Sequence, residues 1–284
     1  MGALDALDTW DAPDARAAVI GGGGRGVLAV RGDPTLPGGW ASVTKLLTAL
    51  AVLVAVEEKV VDLDEPAGPP GSTVRHLLAH ASGLAYDADR VLAAPGRQRI
   101  YSNRGFEVLG EVVCARAGME FGAYLHEGVL APLGMTGTRL EGSPAAGLVG
   151  PLDDLVRLAG ELLNPSLLSP STMGMATTSA FPGLGGRLPG YGHQDRMDWG
   201  LGFELRDGKS PHWTGHRNSP GTFGHFGRSG SFLWVDPAAG LACTALSGRD
   251  FGPWAKDVWP ALSDAVLGSW GRDRPGRPCG SAGR

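Results

Sequence analysis

Trp40-Ala41-Ser42-Val43-Thr44-Lys45-Leu46-Leu47 opens the longest apolar stretch of the chain, Leu46 to Val56. Only four lysines occur in 284 residues, and one of them, Lys45, stands three positions after Ser42. On a helix that spacing puts both side chains on one face, roughly 5–6 Å apart at Cβ. A serine in a first turn with an amine beside it is an arrangement that activates a hydroxyl for attack. Serine is frequent in this chain, so the pair alone is a weak motif and its weight depends on what surrounds it.

Working outward, Ala41 to Glu58 reads as a helix whose Leu46, Leu47, Leu50, Val52, Leu53 and Val56 cover most of its circumference. Such a helix is central rather than superficial. Its first turn therefore sits at the floor of a cleft with its N–H groups available, and Gly38-Gly39-Trp40 permits a sharp entry. Upstream, residues 17–32 read as a strand or short hairpin. Gly21 to Gly24 resembles a phosphate loop only superficially: that loop needs a helix after its glycines and a closing Lys-Ser/Thr, whereas a strand pattern follows here. A tight turn is the simpler reading.

Downstream, Thr73 is placed to cap a short helix over Val74 to His80 that ends at Gly83. Helices are expected over Gly105 to Arg116, Phe121 to Val129, Asp153 to Leu163 and Thr172 to Ala180, with Pro182 to Gly192 a glycine-rich loop. Asp153 and Asp154 suit the positive end of their helix. After residue 199 the texture changes. Trp199 to Leu205 alternates like a strand, and Gly224 to Phe226 begins or precedes another. Gly230 to Asp236 and Leu241 to Ser247 form a hairpin, and Trp254 to Trp270 is a closing helix. The fold class is α/β in the α+β sense: an antiparallel sheet flanked by helices plus a mainly helical lobe, with the site in the cleft between them. The sheet lobe takes about 17–40 and 195–268, the helical lobe about 41–190, in one catalytic domain over 1–268. Residues 271–284 read as a disordered, charged tail.

Composition narrows the partners. A formal charge of −4 and the lack of a Lys/Arg run before the tail argue against nucleic acid. Cys114, Cys243 and Cys279 are far apart, without metal-ligand spacing; the first two read as small buried residues. Met1 to Val19 carries four aspartates and no basic segment followed by an apolar core. With no stretch long enough to span a bilayer, the expectation is a soluble cytoplasmic protein without a membrane partner. Oligomeric state is not legible.

Three clusters could carry chemistry. Ser42 is the candidate nucleophile, with Lys45 as its base if burial or nearby positive charge keeps the amine neutral. The alternative is a helix cap beside a solvated lysine, although an ammonium on an all-round apolar helix is costly. Tyr101 and Asn103 lie at a loop-to-helix junction, where a phenol can relay protons and an amide can hold an acyl group. The alternative is core packing and a helix cap. His225-Phe226-Gly227-Arg228 precedes a strand, and Gly227 would let a ligand approach the backbone. The Arg228 N–H, with that of Ser42, could form a two-donor oxyanion hole. The alternative is a bent edge strand.

Together Ser42-Val43-Thr44-Lys45, Tyr101-Ser102-Asn103 and His225-Phe226-Gly227 resemble the three ordered motifs of the serine beta-lactamase-like superfamily. The branch most resembled is that of class C beta-lactamases, D-alanyl-D-alanine carboxypeptidases and related esterases. Leu77 to Leu84, Trp199-Gly200-Leu201-Gly202 and Leu233 to Pro237 are similar to that branch too, so the resemblance spans nearly all of 20–268. It implies a beta-lactamase/transpeptidase-like fold and an acyl-serine mechanism. Ser42 would attack an ester or amide carbonyl, and Lys45 and Tyr101 would share acid and base duty. Asn103 would orient the acyl side, His225 would face the cleft, and the Ser42 and Arg228 backbones would hold the oxyanion. No cofactor or metal is implied.

His225 departs from the pattern, because penicillin-recognising members commonly carry lysine there. The chain is also short for the branch, which suggests a smaller sheet. These points favour a carboxylesterase-type enzyme, with a beta-lactamase or D-alanyl-D-alanine carboxypeptidase as the alternative. A binding protein that has lost turnover is the further alternative. Among other residues, His80 reads as structural and His76 and His126 as surface residues. His212 and His216 either line the cleft or face solvent, Trp199 packs between sheet and helix, and Phe181 and Tyr191 could rim the cleft.

Overall fold

The computed structural model describes residues 2–12 and 14–271. A 3-10 helix, Ala3–Thr9, precedes β1 (Arg16–Gly21), β2 (Gly26–Arg31) and the short β3 (Gly38–Gly39). A second 3-10 turn, Ala41–Val43, runs straight into α1 (Thr44–Glu57). The helical region holds α2 (Val74–Leu78), α3 (Asn103–Ala117) and α4 (Phe121–Leu125), which continues through a wide helical turn, His126–Leu130. Strands β4 (Arg139–Leu140) and β5 (Leu148–Gly150) lead to α5 (Leu152–Leu163) and α6 (Pro170–Ala176). A small hairpin, β6 (Gly186–Leu188) and β7 (Gly192–Gln194), comes before β8 (Glu204–Leu205), β9 (Phe223–Gly227), β10 (Ser231–Asp236) and β11 (Leu241–Leu246). Helix α7 (Pro253–Trp270) closes the described chain.

Six strands pair antiparallel in the order β2-β1-β11-β10-β9-β8. Successive side chains of a strand point to opposite faces. Accordingly Ala17 and Val19 join Leu4, Leu7 and the α7 residues Trp259, Leu262 and Val266, while Ala18 and Ile20 join α1 and α5 on the other side. Both faces are covered, which is why β1, β10 and β11 are buried along their whole length. Edge strand β2 is covered less and exposes Val27 and Val30.

Helix α1 is buried at every position from Thr44 to Ala55, as its all-round apolar sequence predicts. Each fully buried leucine or valine in it contributes roughly 1.5–3 kcal/mol. Leu50→Ala would therefore cost about 2–5 kcal/mol, because a cavity at this depth cannot collapse onto solvent.

Several local expectations are corrected. Thr73 makes no cap bond; its hydroxyl meets His76 Nδ1 at 2.9 Å. Ser102 rather than Asn103 caps α3, accepting from the Gly105 N–H at 3.0 Å. The loop expected over Pro182 to Gly192 contains β6 and the start of β7. Of Trp199 to Leu205 only Glu204–Leu205 is strand. Gly202 takes a φ of 92°, which breaks the extended backbone, and it packs so closely on α1 that a Cβ there would lie 2.1 Å from that of Ala49. Cys243 is buried in β11, but Cys114 is only partly buried on α3. The N-terminal 3-10 helix has no clear sequence signal. Of the expected disordered tail, 272–284 and with it Cys279 lie outside the described residues.

Candidate active site

Ser42 occupies the 3-10 turn at the entrance to α1. The residue before it, Ala41, adopts a φ of 44°, a left-handed conformation that non-glycine residues take at a cost. That kink lets the chain turn from β3 into the buried helix and puts Ser42 at the start of α1. Gly227 makes the turn possible. A Cβ on Gly227 would lie 2.5 Å from the Trp40 carbonyl oxygen and 3.1 Å from the Ala41 Cβ. What approaches Gly227 closely is thus the turn that carries Ser42, and Gly227 is not among the residues that line the cavity.

Lys45 is wholly buried one helical turn on. Its Nζ lies 3.3 Å from Ser42 Oγ, 2.6 Å from Asn103 Oδ1 and 2.8 Å from the Ala145 carbonyl oxygen. Burial holds its pKa well below the ordinary lysine value, opposed only in part by the charge of Glu107. The Asn103 and Ala145 oxygens can only accept, so each takes an N–H of Lys45, while the Ser42 hydroxyl can accept an N–H from the ammonium or donate to the lone pair of the neutral amine. The surface-lysine alternative is therefore overturned.

Tyr101 sits just before α3 and is buried against the rings of His80, Trp199 and His225. Burial raises the pKa of its phenol, with the Ser42 hydroxyl acting in the opposite direction. His225, on β9, is held down to about 3, chiefly by burial. It is neutral at pH 7. Its Nδ1 lies 2.6 Å from the Phe226 carbonyl oxygen and so carries the proton. Nε2 is left as an acceptor for the Tyr101 hydroxyl at 3.4 Å.

Ser42, Tyr101, His225 and Arg228 line a cavity of about 300 Å³, together with Tyr86, Leu188, Pro189, Gly190, Trp199, Glu204, Phe226 and Phe251. The Arg228 guanidinium stands largely exposed at its rim, 3.5 Å from Asp250. Asn103 is one layer behind, occupied with Lys45.

Several cavity residues escaped the sequence reading. Glu204 is fully buried; it accepts from His212 at 3.0 Å and from the Trp213 indole, and it pairs with Lys209 at 3.0 Å. His212 is accordingly internal, whereas His216 is exposed. Phe181 stacks on His76 at 4.4 Å and is not a cavity residue. Tyr191 packs behind Phe226, while its neighbours Leu188, Pro189 and Gly190 reach the cavity. Trp199 is both core and cavity wall. His80 is structural: its Nδ1 accepts the Ser102 N–H at 3.1 Å, and His76 is half-buried rather than superficial. Among the described residues no His, Cys, Asp or Glu cluster could hold a metal ion, and no helix is long and apolar enough to cross a membrane.

The model of the beta-lactamase family matches residues 9–267. The chain belongs to the beta-lactamase family. Members are serine hydrolases, and the fold is that of beta-lactamases and transpeptidases. The structure of a beta-lactamase from Mycobacterium bovis is 58% identical and superposes with a TM-score of 0.93 over 95% of this chain and 100% of the other. EstCE1, described as a hydrolase with promiscuous acyltransferase activity, is 20% identical, with a TM-score of 0.76 over 93% of this chain and 96% of its own. The D-alanyl-D-alanine-carboxypeptidase/endopeptidase AmpH of Escherichia coli is 26% identical over 141 residues, 37% of this chain and 37% of its own. The chain matches only about a third of the length of its curated relatives.

Proposed function

We propose that this beta-lactamase-family protein is a carboxylesterase-type serine hydrolase acting on small esters through an acyl-serine intermediate on Ser42. The observation that carries the mechanism is the Lys45 environment. Lys45 is buried, its pKa is lowered by that burial, and Asn103 and Ala145 hold its Nζ 3.3 Å from Ser42 Oγ, where the neutral amine can take the serine proton. Ser42 Oγ attacks the ester carbonyl as Lys45 accepts that proton. The Ser42 and Arg228 backbone N–H groups hold the oxyanion. Tyr101, a phenol kept protonated by burial, protonates the departing alcohol and is reprotonated from the Lys45 side. Water then attacks the acyl carbon as the same pair takes its proton, and the pair returns that proton to Ser42 Oγ as the acid leaves. The pair acts as a coupled unit, so the resting proton belongs to both.

The preference for an ester over a lactam or peptide bearing a carboxylate follows from the cavity wall. His225 is neutral, Arg228 is drawn out to Asp250, and the Lys209 ammonium is taken up by Glu204. No fixed cation in the wall meets a substrate carboxylate. Beta-lactam hydrolysis is the second reading, favoured by the 58% identity to a protein described as a beta-lactamase. A parallel panel of aryl ester, aryl amide and chromogenic cephalosporin, on wild type and Ser42→Ala, separates the two. Turnover of the cephalosporin without the ester rejects the esterase reading. Full hydrolysis by Ser42→Ala rejects the mechanism.

A further inference from the structure

We infer that Phe251, pressed against Gly190, sets the size limit for the apolar part of the substrate. This rests on the reading of Ser42 as the reacting nucleophile. Phe251 comes from the connection between β11 and α7, far in sequence from the other site residues, and its ring is one wall of the 300 Å³ cavity. That volume is at the low end of the roughly 300–1,000 Å³ usual for small-molecule pockets. The ring lies 4.9 Å from Phe226 and 5.3 Å from Trp259 between centroids, so it is backed by rigid core. On the open side it meets Gly190, whose φ of 77° favours glycine. A Cβ at Gly190 would come within 2.5 Å of the Phe251 ring, so the two close on each other without room to spare.

Behind Gly190 is a second cavity of about 650 Å³, walled by Tyr191, Ser210, His216, Lys256 and Asp264. Gly190 borders both spaces, and Phe251 closes on it from the side of the Ser42 cavity. Phe251 is also tied to the reacting centre: its N–H donates to the Arg228 carbonyl oxygen at 2.7 Å. The backbone bond fixes where the ring stands relative to Ser42, and a side-chain truncation leaves that bond intact. The ring is only half-buried, so its removal opens space without emptying the core.

The experiment compares wild type, Phe251→Leu and Phe251→Ala on p-nitrophenyl acetate through octanoate, and on acetate esters of lengthening alcohols. In Phe251→Ala the kcat/KM ratio of long to short substrate rises at least about ten-fold in one of the two series, with Phe251→Leu between, because a few methylenes in an apolar pocket are worth that much. The series that responds identifies which side of the ester the ring limits. Ser42 labelling rates with short- and octyl-chain fluorophosphonates give a readout independent of turnover. If wild type labels at Ser42 but cleaves no ester, the esterase reading fails while the labelling ratio still decides the role of Phe251. Ratios unchanged within about two-fold in both ester series and in labelling, in both folded variants, overturn it.

Discussion

Lys45 Nζ lies 2.6 Å from Asn103 Oδ1, closer than the 3.3 Å that separates it from Ser42 Oγ. The amide is the stronger partner in the resting site. It points the amine without charging it, since a neutral oxygen accepts an N–H yet adds no anion that would stabilise an ammonium.

Exchanging that amide for a carboxylate should reverse this. In Asn103→Asp the new anion favours the protonated amine, so the acid limb of kcat/KM moves to higher pH by about one unit or more. At neutral pH the rate falls, and it recovers partly in alkali. A pH–rate profile checks this, and an unmoved acid limb would exclude Lys45 as the base.

Tyr101→Phe removes a hydroxyl and little volume. The expected loss is about 10²–10⁴-fold in kcat, with a small change in KM, since the hydroxyl is assigned to proton transfer rather than binding. Steady-state kinetics on an aryl ester with a poor leaving group shows the largest effect, because such an alcohol most needs its proton.

His225 links the site to acid stability. Its pKa is depressed in the folded protein to about 3 from the ordinary 6.5. Between those values the unfolded chain binds a proton that the folded one does not, so stability rises with pH and is lost as pH falls through the window. One such group contributes a slope of at most about 1.4 kcal/mol per pH unit. Urea unfolding from pH 3 to 7 should show a shallower slope for His225→Gln than for wild type. Equal slopes would mean that the imidazole is not held neutral.

Glu204 and Lys209 form a fully buried ion pair beneath the cavity. Glu204→Gln leaves the ammonium uncompensated and should cost about 3–5 kcal/mol. Glu204→Gln combined with Lys209→Met should recover much of that. Chemical denaturation of the single and double variants measures it; additive losses would show that the two charges do not depend on each other.

Much of the site was visible in the chain before its fold. Ser42 and Lys45 are brought together by helical spacing alone, a relation that needs no long-range contact. Tyr101 and His225 carried recognisable chemistry in ordered motifs, and the apolar runs of β10, β11 and α1 predicted their burial. Asn103 was harder to place: its neighbour Ser102 supplies the helix cap and leaves the amide to Lys45. Gly227 stood out as a glycine, yet the partner that needs it is the backbone of Trp40.

By itself the sequence determined the family, the coarse order of first strands, helical middle, later strands and closing helix, and the serine–lysine pair, because periodicity and motif spacing are local properties of the chain. Tertiary structure alone decided that Lys45 is wholly buried and its pKa lowered. Water is removed from it by groups as distant in sequence as Ala145 and Asn103, and no local pattern records how completely they close around it. The same holds for the cavity: Glu204 and Phe251 become neighbours of Ser42 only when the sheet, the β6–β7 hairpin and the connection to α7 converge on it.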